Sequence, residues 1–202
     1  MQFVDFLTAQ LFVMSFVGVI GLYALYKIYK YHSKLPLLKA TLPSVGMVLF
    51  VLGIYGILSG LYGQFVWPLP GNYNILFYDM YPLFGFSLAA IGYALYKGMK
   101  TEPAGLFSAL IGAMSIFYGI VGYMLGMTTY PIMLLIIYVA FGMVGITMLP
   151  ASRYLDMLLS GKKLSGMRYA KAIFVALCIF MAIAALASAI TGAPAAIEHL
   201  MA

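Results

Sequence analysis

Six apolar stretches, near residues 6–26, 42–66, 75–96, 104–127, 130–150 and 172–191, take up most of this 202-residue chain. Each is long enough to cross a bilayer as a helix, since the hydrocarbon asks for roughly 20 predominantly apolar residues. Only 8% of the residues are charged, against about 25% in a soluble domain. So little remains between the stretches that residues 1–202 read as one transmembrane domain. The expected fold class is all-α, a polytopic membrane protein with six transmembrane helices.

The cations sort into alternate gaps. Lys27, Lys30, Lys34 and Lys39 fall between the first and second stretches, and Lys97 and Lys100 between the third and fourth. Arg153, Lys162, Lys163, Arg168 and Lys171 lie around the gap between the fifth and sixth, while the other two gaps carry none. Short loops rich in Lys and Arg are retained in the cytoplasm. One face is therefore expected to be cytoplasmic, with both chain termini outside, in the cell membrane. Because the first stretch carries Asp5 where a leader would carry Lys or Arg, it is expected to stay as a membrane helix. The net charge of +6 then calls for no nucleic-acid partner. The cations would rest on anionic headgroups, at about 1 kcal/mol each near the surface.

Weak internal repeats suggest three tandem hairpins, helices 1–2, 3–4 and 5–6. Tyr23-Ala-Leu-Tyr-Lys27 recurs as Tyr93-Ala-Leu-Tyr-Lys97, and Tyr55-Gly-Ile57 as Tyr118-Gly-Ile120. The pair Gly18/Gly21 has an echo in Gly142/Gly145. A parallel repeat would put its axis along the membrane normal, where a passage could run. The glycines form stripes. Gly46, Gly53, Gly56, Gly60 and Gly63 mark the second stretch, and Gly105, Ser108, Gly112, Ser115, Gly119, Gly122 and Gly126 the fourth. Residues three and four apart share a helix face, and small residues let helices approach closely in lipid. These stripes are read as helix–helix seams, the alternative being a passage lined by bare backbone. Trp67, Tyr73, Tyr78, Tyr81 and Tyr130 are expected to form an aromatic belt at the outer boundary. Pro131 and Pro150 should bracket the fifth helix, and the tail from Gly192-Ala-Pro194 should make a short interfacial turn.

The chemistry is read mainly from what is missing. No Lys, Arg, Asp, Glu or His falls in the middle third of any stretch, and intramembrane ionisable groups are what mark proton relays and coupled transport. His32 and His199 lie on opposite faces, so a bis-His haem is excluded, and no cofactor or metal is expected. The fifteen Met residues read as adaptable core filler. Cys178 is the lone cysteine, so no disulfide forms within the chain. No Ser or Thr has a His or carboxylate at helical spacing, so no catalytic residue is assigned and an enzyme is not expected. Glu102 and Asp156 lie among the cytoplasmic cations. Asp5, Asp79 and Glu198, with His199, are read as solvated loop ends, or alternatively as a cation-attracting vestibule.

Two patches carry a resemblance. Ile136-Ile-Tyr-Val-Ala-Phe-Gly-Met-Val-Gly-Ile-Thr147 and Leu83-Phe-Gly-Phe86 resemble the fifth and third helices of the urea/amide channel family. That family includes the acid-gated urea channel and the amide channels. The other kinship weighed is with uncharacterised archaeal six-helix membrane families. The channel resemblance implies a ring-shaped homo-oligomer, often of six subunits, with a pore through each. It implies passive passage of urea or short amides between aromatic side chains. By position, Phe84, Tyr138 and Phe141 would line the pore, and Gly145 stands where that family often carries Trp. The long His-bearing loop of the acid-gated member is missing, so pH gating is not implied. The expected function is a passive channel for a small neutral solute such as urea or a short amide. The alternative is a non-catalytic subunit of a larger membrane complex.

Overall fold

The structure, a computed structural model, describes residues 6–161 and 169–201, so Asp5, Lys162, Lys163 and Arg168 lie outside the described residues, as does the side chain of His199. Six helices follow one another: α1 (Phe6–Tyr31), α2 (Leu35–Val66), α3 (Asn72–Lys97), α4 (Glu102–Met124), α5 (Pro131–Leu159) and α6 (Ala170–Met201). All six are long and apolar enough to cross a membrane. Gly18 of α1 lies against Ala185 of α6, and Leu11 against Gly192. These two helices are therefore antiparallel, and the ends nearest both chain termini share one end of the bundle, the terminal end. Every described Lys and Arg sits at the opposite, cation end.

The helices close a ring in which α1 packs against both α2 and α6. The most extensive packing joins α2 to α3 and α4 to α5, followed by α1 with α6. The tandem pairs 1–2, 3–4 and 5–6 are thus neighbours but not the tightest units. The glycine stripes explain the difference. A Cβ on Gly53 would come within 2.7 Å of the Ala89 Cα, and one on Gly60 within 2.6 Å of Pro82 Cδ. On the other seam, a Cβ on Gly105 would meet Ser152 Oγ at 2.5 Å, and one on Gly145 the Ser108 carbonyl at 2.6 Å. No side chain fits at these points, so backbones touch directly, as small residues allow in lipid. The seam reading of the stripes holds except at Gly126, which lies past the end of α4 with nothing packed against it.

Two proline boundaries shift. Pro150 lies inside α5 and Pro194 inside α6. Neither the stop at Pro150 nor the interfacial turn after Gly192 occurs, because neighbouring helices can satisfy the carbonyls that an intramembrane proline frees. The run of α2 into Trp67 ends with that residue in the left-handed region, its N–H donating to the Gly63 carbonyl at 3.1 Å. Asn74 then ties the connection down. Its Nδ2 donates to the same carbonyl at 3.1 Å, and its Oδ1 accepts from Leu69 N at 3.2 Å.

Facing also departs from the sequence reading. Trp67, Tyr73 and Tyr130 are exposed as a belt requires, but Tyr78 and Tyr81 are buried. The Tyr78 ring fills the notch that Gly63 leaves. Asp79 is no loop end: it lies within α3, accepting from Tyr118 Oη at 2.9 Å and from Gln64 Nε2 at 3.4 Å. At the cation end, Leu25, Ile28, Leu38, Leu42, Leu95, Leu155 and Leu158 belong to one buried apolar cluster.

A cavity inside the helix ring

The ring encloses a cavity of about 1180 Å³ to which every helix contributes, α2 through Leu49 alone. Its lining runs from Leu7, Gln10, Tyr130 and Glu198 at the terminal end to Ile28, Leu95, Thr101 and Ser152 at the cation end. Leu38, Leu42 and Leu158 are buried at the same end, outside the lining. Gln10 and Ile28 are separated by roughly 27 Å along α1, at 1.5 Å per residue. Spread over that depth, the volume corresponds to a mean width of about 7 Å. Such a bore suits a small molecule or a single chain, not a folded peptide element.

All four residues singled out from the sequence line this cavity: Phe84, Tyr138, Phe141 and Gly145. Phe84 of α3 meets Phe141 of α5 edge to face, with ring centroids 5.5 Å apart, and the Tyr81 and Phe84 ring centroids are 6.1 Å apart. All three residues line the cavity. The Tyr138 hydroxyl is already engaged, donating to the Leu76 carbonyl at 2.6 Å. Gly145 contributes bare backbone where α4 and α5 touch.

Polar groups on the wall are of two kinds. Some are satisfied internally: Ser87 and Ser108 share a 2.6 Å hydrogen bond, Ser108 donates to the Ala104 carbonyl, and Ser115 donates to the Tyr138 carbonyl at 2.9 Å. Others are not. Gln10 Nε2 and Thr128 Oγ1 are buried without a hydrogen-bond partner, and both residues line the cavity at its terminal end. Tyr81 Oη is set against Ser59 of α2, and Ser152 Oγ against Gly105 of α4, so these two hydroxyls belong to the helix seams. A buried polar atom left unpaired costs about 1–3 kcal/mol. Two at one end of a cavity mark a place where something else supplies the bond. Gln10→Leu, which removes the unpaired amide at nearly constant volume, is therefore expected to raise the stability of the empty protein by about 1–2 kcal/mol. Thermal unfolding in detergent measures this directly.

The sequence reading assigned neither Gln10 nor Thr128 a site role. Tyr81 was placed in the belt, because its depth is legible and its direction is not. Gln10 offered a signal that went unused: an uncharged amide within an otherwise apolar stretch. Fixed charge is sparse along the wall. Among the described lining residues there is no Lys, Arg or His, and Glu198, exposed at the mouth, is the one carboxylate.

A family model described as a protein of unknown function, DUF981, matches residues 1–202, so the chain belongs to that family. No curated protein and no solved structure matches the chain.

Proposed function

We propose that this member of the DUF981 family is a passive conduit for a small uncharged solute. The long apolar cavity, with the unpartnered Gln10 and Thr128 at its terminal end and Ser87, Ser108 and Ser115 further along its wall, carries this reading. These groups offer a neutral solute hydrogen-bond partners, while the described wall holds no cation and a carboxylate only at the mouth, too little to repay the desolvation of an ion. The buried leucine cluster at the cation end supports reading the conformation described as a closed one. By the distribution of Lys and Arg, that end lies in the cytoplasm and both termini lie outside. One chain's six helices supply the lining of the cavity, so each copy in any homo-oligomer would carry its own route. Urea and short amides, suggested by the resemblance to the urea/amide channels, fit the mean width.

The test is stopped-flow swelling of proteoliposomes with urea, acetamide and glycerol, set beside sodium and chloride leak. The neutral solutes are expected to pass faster than through empty vesicles, with ion leak unchanged. Equal rates for all solutes with and without protein would remove the reading. Phe141→Ala should leave the protein folded while widening the cavity beside Phe84. Glycerol flux is then expected to rise several-fold relative to urea. An unchanged ratio would place Phe141 outside the selective region.

A further inference from the structure

The wall of the cavity is not the same on every side. Around the terminal half, α1 and α6 are sealed by Gly18 against Ala185 and Gly192 against Leu11, and α4 and α5 by Gly119 against Tyr138. The α5 and α6 helices join in the cation half, where the Tyr154 and Phe174 rings meet with centroids 4.9 Å apart. In the terminal half, Ile132 and Ile136 of α5 and Ile190 of α6 line the cavity and are at the same time exposed, by 64%, 40% and 52%. Residues that both line a cavity and are exposed stand at its rim, and in a bilayer a rim of isoleucines between two membrane helices borders hydrocarbon.

We propose that this rim is a portal through which a neutral single-chain amphiphile from the surrounding leaflet occupies the terminal half of the cavity. Gln10 and Thr128 would hold its head. The apolar lips admit only what is already dissolved in the membrane. Inside them, the Gln10 side chain is 3% exposed and its Nε2 has no partner, so it lacks an acceptor oxygen such as an ester, ether or hydroxyl. Thr128 Oγ1, also unpartnered, lies at the same end of the cavity. The head must be uncharged at phosphate or carboxylate level, because the described lining holds no cation and Glu198 stands at the mouth. With its head beside Gln10, the tail would run toward Phe84 and Phe141, the orientation a lipid of that leaflet already has. Such an occupant would lie across the proposed solute route and slow it. The inference shares its cavity with that route, but does not require passage from end to end.

The experiment is photolabelling of the protein in nanodiscs with a diazirine-bearing monoacylglycerol, followed by peptide mapping. Label is expected on the α5 and α6 segments around Ile136 and Ile190, displaced by excess monolauroylglycerol and not by anionic lysophosphatidylglycerol. Ile136→Trp, which crowds the portal, should abolish the displaceable label. Gln10→Leu should raise the competitor concentration needed about tenfold without lowering the unfolding midpoint, which separates lost binding from lost folding. Label spread over the outer faces of all six helices, or label that competitor does not displace, would overturn the site. So would label indifferent to both substitutions. Displaceable label in a protein that accelerates no solute would overturn the conduit and leave the portal standing, and flux without displaceable label would do the reverse.

Discussion

Gly112→Leu is expected to unfold the α4–α5 half of the bundle, lowering stability by about 3 kcal/mol or more. Gly112 sits where α4 crosses α5. A Cβ there would run into the Gly142 carbonyl and approach the Gly145 Cα to 3.1 Å. Nothing at that point is a flexible side-chain end, so relief requires the two backbones to separate. Separation also loses the contacts of Gly105 with Ser152 and Gly119 with Tyr138 along the same seam. Lipid offers no compensating hydrophobic drive, because its tails are as apolar as the faces exposed. For a chain of this size the fall in Tm should be about 6–12 °C, read by thermal unfolding in mild detergent. Leu110→Met is the control: Leu110 is on the same helix but 61% exposed, and its substitution should leave Tm unchanged within about 1 °C.

Asp156→Ala is expected to cost about 3 kcal/mol by a different route. Its carboxylate, on α5, accepts from the Thr101 backbone N–H at 2.9 and 3.0 Å, from Thr101 Oγ1 at 2.9 Å and from the Glu102 N–H at 2.9 Å. These are donors at the start of α4, where the helix itself supplies no acceptor. No side chain at the Thr101 cap position does that work, so α5 caps α4 from outside, and a negative charge there also suits the helix dipole. Thr101 is 2% exposed, so water cannot readily replace the lost acceptor. Asp156→Asn keeps one acceptor oxygen and should lose about half as much. The neighbouring ion pair provides the contrast. Arg153 Nε meets Glu102 Oε1 at 2.8 Å, but both side chains are about half exposed. Glu102→Gln should therefore shift stability by less than about 1 kcal/mol.

How much of this was legible in the sequence depends on which property is local. Helix number and alternating polarity follow from apolar length and from where lysines stand. Both are read without knowing any neighbour. The glycine seams were legible for the same reason, since three- and four-residue spacing fixes a shared face. Direction around a helix axis was not. In water an apolar stripe marks the core, but in lipid both faces of α3 are apolar, and Tyr78 and Tyr81 gave no sign of pointing inward. Proline misled at 150 and 194 because its helix-breaking cost assumes freed carbonyls with no nearby donor. Asp156 was counted among surface charges because its role depends on Thr101, 55 residues away. Gly112 and Gly142 were placed in stripes, yet only the fold shows that the stripes meet as α4 against α5. Phe84, Tyr138, Phe141 and Gly145 came from a resemblance, and the cavity gathers all four. The unpartnered Gln10 and Thr128 could be found only once the space inside the ring existed.

Whether the enclosed cavity is the route taken by solute can be tested at Ser115. It lines the wall near mid-depth, is 8% exposed and donates to the Tyr138 carbonyl. In a Cys178→Ser background, Ser115→Cys is treated with methyl methanethiosulfonate, a neutral reagent small enough for the bore, and urea flux is followed before and after. The expected result is reaction of the thiol together with loss of most of the protein-dependent flux, restored by reductant. Complete modification with flux unchanged would contradict a route through the helix ring.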